Sequence, residues 1–345
     1  MKKKILFASV SLFVGVILNA QDVHFSQMTE TPLLLNPAMT ALGHDMLAII
    51  NYKDQWKSVG ARYRTFNVSA DFAVMKKKNG SRVGLGLDVF SDKAGDANMA
   101  TTTGTFHLSG VLAANDRNLL SLGLSAGFGQ RSLQYDKLYW DNQYDGLQYN
   151  STLPSGEPAS FSNHNYVDFS AGIGWFYGKG HSTLSSNDAK TIHAGLAVQH
   201  LNKPAYSFYD DAEERLPMRV VAHGMGDFGI KNYSLILEPA YIVMVQAGHH
   251  EITGGMLVKY KPKEASKYTG RVKASTFGLG GYYRFGDAVA IATRYEFSSW
   301  SVGMSYDVNI SNLRTASKAR GGFEISLHFI SPNPFGGGQA SRLFD

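Results

Sequence analysis

Leu120-Ser121-Leu122-Gly123-Leu124-Ser125-Ala126-Gly127-Phe128 alternates apolar residues with glycine and serine. Successive side chains in a strand point to opposite faces, so this segment has one apolar face and one small, polar face. Strands of soluble sandwiches alternate too. Their water-facing side carries charge more often than the Gly and Ser seen here. The pattern recurs down the chain. Val167, Phe169, Ala171, Ile173, Trp175 and Tyr177 alternate with Asp168, Ser170, Gly172 and Gly174, and Trp300, Val302, Met304, Tyr306 and Val308 with Ser301, Gly303, Ser305 and Asp307. Such segments match the 9–11 residues, roughly, that a tilted strand needs to cross a bilayer. Fourteen candidate strands follow, the first at 47–56 and the last at 319–330, an even number as single-chain bacterial barrels show. The expected fold is all-β: a transmembrane antiparallel up-and-down β-barrel of about 14 strands with a polar lumen.

Composition agrees. With 36 Gly, 20 Phe and 18 Tyr but only 18% charged residues, the chain is rich in β-formers and barrel-wall fillers. Beyond the leader, no stretch approaches the roughly 20 apolar residues of a spanning helix. The formal charge of +5 includes three lysines of the leader, leaving a near-neutral chain without the clustered cations that nucleic-acid binding needs.

The ends suggest export. Lys2, Lys3 and Lys4 precede the apolar run Ile5 to Leu18, then Asn19-Ala20. Residues 1–20 therefore read as a signal peptide, too short in its apolar part for a membrane helix. The absence of cysteine excludes a lipoprotein leader, disulfides and thiolate chemistry. Residues 21–46, with Pro32 and Pro37, are an N-terminal periplasmic or plug segment, because proline disfavours regular strand or helix there. The barrel occupies 47–330. A Pro- and Gly-rich tail, 331–345, follows a last strand in which Phe323, Ile325, Leu327 and Phe329 share one face.

Loop lengths and strand charges test this reading. With a periplasmic N-terminus, outward connections follow odd-numbered strands and should be longer. The longest, 131–165, and another at 202–215 obey that parity, whereas the inner connection 178–189 is long and the outer turn at Gly286-Asp287 is short. A cation on the lipid face at mid-bilayer costs roughly 2–4 kcal/mol. Arg294, Arg219, His223, Glu238, Asp168 and Glu324 all lie opposite apolar neighbours, so each is expected in the lumen, paired with opposite charge.

Candidate chemistry is sparse. His249, His250 and Glu251 lack a third ligand on one face, and Gly278, Gly280 and Gly281 sit in a strand-like run without a following helix, so neither a metal nor a nucleotide is expected. Asp210, Asp211, Glu213 and Glu214 read as a solvated acidic loop. No Ser and His stand in a recognisable acyl-transfer arrangement, and neither catalysis nor a cofactor is expected. Tyr135, Tyr139, Trp140, Tyr144 and Tyr149, interleaved with Asp136, Asp141 and Asp145, form either a partner-contact surface or a loop packed over the barrel mouth. Lys76, Lys77 and Lys78 form an inner turn able to face an acidic partner. Lys259, Lys261, Lys263 and Lys267 are expected on the same inner rim.

Several stretches, in order, resemble the PorP/SprF family of the type IX secretion system of the Bacteroidetes. They are Phe25-Ser26-Gln27, Asn36-Pro37-Ala38, Asn51 to Trp56 (ending Gln55-Trp56), Tyr63-Arg64-Thr65, Asp168 to Gly172, Gly280 to Arg284, Ser305-Tyr306-Asp307 and Gly321 to Leu327. The resemblance implies an outer-membrane barrel of the secretion and gliding machinery with no catalytic residues. Its implied partners are proteins: a secreted adhesin bound through its C-terminal targeting domain, or periplasmic ring and peptidoglycan-anchoring components. Outer-membrane lipid and lipopolysaccharide would surround it. The rival expectation is a passive diffusion porin, distinguished by an open aqueous lumen.

Overall fold

The computed structural model describes residues 24–56, 62–95, 97–156, 163–180, 187–208, 214–263, 275–311 and 317–331. The expected leader at 1–20, most of the acidic loop, Lys267 and nearly all of the tail lie outside the described residues.

Fourteen strands form the wall. They are β1 (Met46–Gln55), β2 (Tyr63–Val74), β3 (Arg82–Ala94), β4 (Met99–Asn115) and β5 (Asn118–Ser132); then β6 (His164–Lys179), β7 (Lys190–Gln199), β8 (Arg219–Gly229), β9 (Leu235–Gln246) and β10 (His249–Lys263); and finally β11 (Ser275–Arg284), β12 (Ala288–Phe297), β13 (Trp300–Asn309) and β14 (Arg320–Ser331). Every strand pairs antiparallel with its sequence neighbours. β1 closes on β14 from Met46 opposite Ser331 to Gln55 opposite Gly322. Closure leaves no unpaired edge, as a sheet in lipid requires. The two longest connections, between β5 and β6 and between β7 and β8, leave the same end of the barrel, here called the long-loop rim, while those between β6 and β7 and between β10 and β11 leave the other.

The alternation sorts the faces. On β5, Leu122 and Phe128 point outward and are 60% and 57% exposed, while Ser121 and Ser125 are buried inside. A continuous exposed apolar face of this kind demands lipid. Arg294, His223, Glu238 and Glu324 are all buried in the lumen, and Arg219 turns inward to donate from Nε to Gln199 Oε1 at 2.6 Å. The lumen is not polar throughout. Val221, Ile242, Met244 and Leu257 from β8 to β10 build an apolar sector of it, covered by Met28. Gly278, Gly280 and Gly281 lie in β11, in a strand as expected.

Candidate functional site

Residues 24–44 do not join the wall. They run through the lumen from the long-loop half to the opposite rim, where β1 begins. Three short helical turns, Met28–Glu30, Pro32–Leu35 and Pro37–Met39, interrupt an otherwise irregular path, as the two prolines dictate. Backbone without a ladder must find other partners when buried, and here the wall supplies them. The Ser26 and Gln27 N–H groups donate to the two Glu324 carboxylate oxygens at 2.7 and 3.0 Å. Lys53 Nζ donates to the His24 carbonyl at 3.0 Å and pairs with Glu324 at 2.9 Å. Arg284 donates to Ser26 Oγ at 2.5 Å, and Ser26 in turn donates to Asp307.

Asn36-Pro37-Ala38 crosses to the other side of the barrel. Asn36 Nδ2 donates to the Ile173 carbonyl at 2.9 Å and lies 3.1 Å from His223 Nε2, while its Oδ1 accepts from Ala38 N–H at 2.8 Å. Glycine makes this approach possible. A Cβ on Gly123 would overlap the Ala38 nitrogen, and one on Gly172 would overlap Asn36 Oδ1. The segment then reaches β2 and β4. Ser109 Oγ donates to the Thr40 carbonyl at 2.7 Å, and Asp71 accepts from Ala41 N–H and His44 at 2.5 and 2.6 Å.

Glu30 sits at the centre, fully buried, against Arg294 and His328, with Ser326 Oγ donating at 2.9 Å. Burial pushes its carboxyl up, but the Arg294 guanidinium and the His328 imidazole outweigh that and hold it well below the usual carboxylate range. The network continues through Arg294 to Glu238 at 2.6 Å, then to Lys259 at 2.9 Å, which also meets Asp227 at 2.6 Å. This corrects one expectation. Lys259 is not an exposed rim charge: its side chain is buried in the lumen among Asp227, Glu238 and Glu296. Lys261 follows it in parity, and the Lys263 side chain lies outside the described set.

Above the segment, the long-loop half of the lumen remains a cavity of about 420 Å³. Its floor is Phe25, Met28, Leu33 and Leu34, and its wall includes Thr103 and His107. His107 is buried, and neither ring nitrogen has a hydrogen-bond partner among the described residues.

The sequence-predicted contact residues fall in three places. Phe25, Ser26, Gln27, Asn36, Pro37 and Ala38 come together in the lumen. Gln55 and Trp56 end β1 at the long-loop rim, the Trp56 ring standing edge-on to Tyr63 at 4.9 Å. The loop aromatics meet in pairs, Tyr135 with Trp140 at 5.5 Å and Tyr139 with Tyr149 at 4.6 Å, and Tyr144 forms a β-bridge with Tyr149. Tyr139, Tyr144 and Leu147 are all exposed. At the opposite rim, Lys76 pairs with Asp45 at 2.9 Å, while Lys77 and Lys78 project into solvent. Among the described residues no group of three or more His, Cys, Asp or Glu forms a metal site; His249 and His250 fall on opposite faces, and Glu251 turns inward to His24 at 3.1 Å. Sequence reasoning missed Glu30 and Lys53 as anchors. Lys53 stood within a resembling stretch, but nothing local marked Glu30.

Residues 17–329 match the family model described as type IX secretion system membrane protein PorP/SprF. No curated protein matches. Among solved structures, the chain is similar to the toluene transporter TbuX of Ralstonia pickettii (10% identity, 87% of this chain and 93% of that one, TM-score 0.46). It is also similar to BamA of Haemophilus ducreyi lacking POTRA domains 1–3 (10%, 83% and 70%, 0.41) and to the translocator domain of autotransporter NalP from Neisseria meningitidis (10%, 88% and 94%, 0.39).

Proposed function

The chain belongs to the PorP/SprF family of type IX secretion system membrane proteins, and from that membership we propose that it is a non-catalytic outer-membrane barrel that docks protein partners on its rims. The segment that crosses the lumen carries this reading. A segment pinned to Glu324, Arg294, Gly123 and Asp71 occupies the space a diffusion porin would leave to water. Function then falls to the rims. The exposed Tyr139, Tyr144 and Leu147 suit a secreted adhesin or its C-terminal domain, since exposed aromatics favour interface hot spots. Lys77 and Lys78 suit an acidic periplasmic component of the ring or the peptidoglycan-anchoring apparatus. Export or surface attachment would follow from holding such a partner at the membrane.

Affinity purification of a C-terminally tagged copy from detergent-solubilised envelopes, read by mass spectrometry, tests this. Recovery of a large secreted protein is expected if the long-loop rim docks an adhesin, and recovery of ring proteins if the chain is a scaffold. Recovery of neither, together with a conducting barrel in planar bilayers, overturns the proposal and returns the porin.

A further inference from the structure

The outward face of the barrel is apolar through most of its height. Phe66 on β2, Leu87 and Val89 on β3, and Phe106 and Leu108 on β4 form one exposed band. At the long-loop end of that band the face changes character in one sector. Arg64 stands two positions beyond Phe66, and Lys93 stands two beyond Ser91, whose hydroxyl lies 3.1 Å from that of Thr102. Arg64 and Lys93 are exposed and directly opposite one another in the β2–β3 register. Opposed residues on one face hold their Cβ atoms about 4.5–5.5 Å apart, where like charges repel.

Among the described residues the one carboxylate facing the pair is Asp54, and it is shared with a third cation. Neither Arg64 nor Lys93 has an ion pair or side-chain hydrogen bond among the described residues. Asp54 lies opposite Arg64 on β1, but Arg62 holds both its carboxylate oxygens. One strand further, Arg320 on β14 is exposed opposite Val308, adding a cation to the same side. Elsewhere at this height the outward face shows Val220, Val245, Ile252, Tyr283, Val289 and Ile310, with His250 opposite Val245 and no exposed Lys or Arg among these strand positions. The cations are confined to one sector and sit at the edge of an apolar band.

We propose that Arg64 and Lys93 bind the phosphate of a phosphorylated glycolipid in the outer leaflet, with its acyl chains lying on the Phe66, Val89 and Phe106 band. This rests on the outer-membrane reading above, with the long-loop rim facing outward. A phosphate between the two cations accepts charge-assisted hydrogen bonds from guanidinium and ammonium and removes their repulsion. Arginine suits the site because its planar fork matches two phosphate oxygens. Continuity with the lipid-facing band selects a lipid phosphate over a soluble one, because the pair lies on the wall and not in the lumen.

The test is native mass spectrometry of the full chain in detergent, titrated with a diphosphorylated diglucosamine lipid, its dephosphorylated form and phosphatidylglycerol. The wild-type chain should retain the diphosphorylated lipid at least tenfold more tightly than either other lipid. The R64Q/K93Q double variant should lose at least tenfold, with heat-dependent gel migration reporting its fold; should it not fold, K93Q alone is expected to lose at least threefold. Equal retention by a folded variant, or equal affinity for the dephosphorylated lipid or phosphatidylglycerol, overturns the proposal. The location premise is checked separately. A cysteine placed at Leu147, in a chain that has none, should react with a membrane-impermeant maleimide on intact cells. Labelling only after permeabilisation would remove the premise while leaving the lipid affinities as measured.

Discussion

A carboxylate sealed inside a barrel wall persists only when each oxygen is satisfied. Glu324 meets that condition through the Lys53 ammonium and the amide N–H groups of Ser26 and Gln27. Both charges are almost wholly buried, at 2% and 1% exposure. Breaking a buried pair from one side costs about 3–5 kcal/mol, because the surviving charge is left in low dielectric. Glu324→Gln is therefore expected to lower the temperature at which the barrel loses its compact gel migration, while adding Lys53→Met, which removes the stranded cation and leaves the Gln oxygen for the Ser26 and Gln27 amides, recovers part of the loss. A double variant no more stable than the single one would show that the pair is not the source. Such a pair is half legible in a sequence. Glu324 declares its face by standing between Phe323 and Ile325, but its partner lies 271 positions away in β1 and nothing local names it.

At the scale of elements, the strands were legible and the N-terminal segment was not. A period of two is a local property, so the faces of β5, β6 and β13 follow from a dozen residues each. The path of residues 24–44 depends on contacts between residues as much as 298 positions apart, such as Ser26 with Glu324. Prolines showed only that the segment would be irregular. Lys259 was misplaced for a related reason: a run of lysines near a strand end resembles a solvated turn until Asp227, Glu238 and Glu296 are known to face it. Glycines read as wall filler proved to be the cradle of the segment. Gly123→Val is expected to unseat Pro37 and Ala38, since overpacking costs about 1–3 kcal/mol and each 1.4 kcal/mol shifts the released population roughly tenfold. The measurement is conductance in planar bilayers, which should rise above that of the wild-type barrel; an unchanged trace would mean the segment does not gate the lumen. Acidity should not do the same. Because the Glu30 carboxyl titrates below its unfolded value, its stabilising contribution is complete above that value, roughly 4.3, and is lost only as the pH falls through the folded one. Release of Glu30 thus adds no conductance from pH 8 to pH 5, and an opening in that range that Glu30→Gln removes would contradict the assignment of Glu30 as the anchor.

The whole molecule joins two separated rims by a closed wall and a bore crossed by residues 24–44. Strand hydrogen bonds run unbroken around the barrel, so a load on one rim reaches the other only through the wall or by displacing residues 24–44. With the segment seated, the two docking surfaces should act independently. Tyr139→Ala with Tyr144→Ala removes exposed aromatic area from the long-loop rim, and hot-spot truncation costs about 2 kcal/mol or more. Lys77→Glu with Lys78→Glu reverses charge at the other rim and should weaken an acidic partner there. Losses at sites this far apart add to within about 0.3–0.5 kcal/mol when nothing couples them. Quantitative co-purification from cells carrying each pair, and then all four changes, should show each pair reducing one class of partner and the combined variant showing the two losses added. If the long-loop changes also release the partner of the opposite rim, the coupling runs through the wall or through the N-terminal segment. Adding Gly123→Val, which loosens that segment from the wall, abolishes the cross-effect in the second case and leaves it in the first.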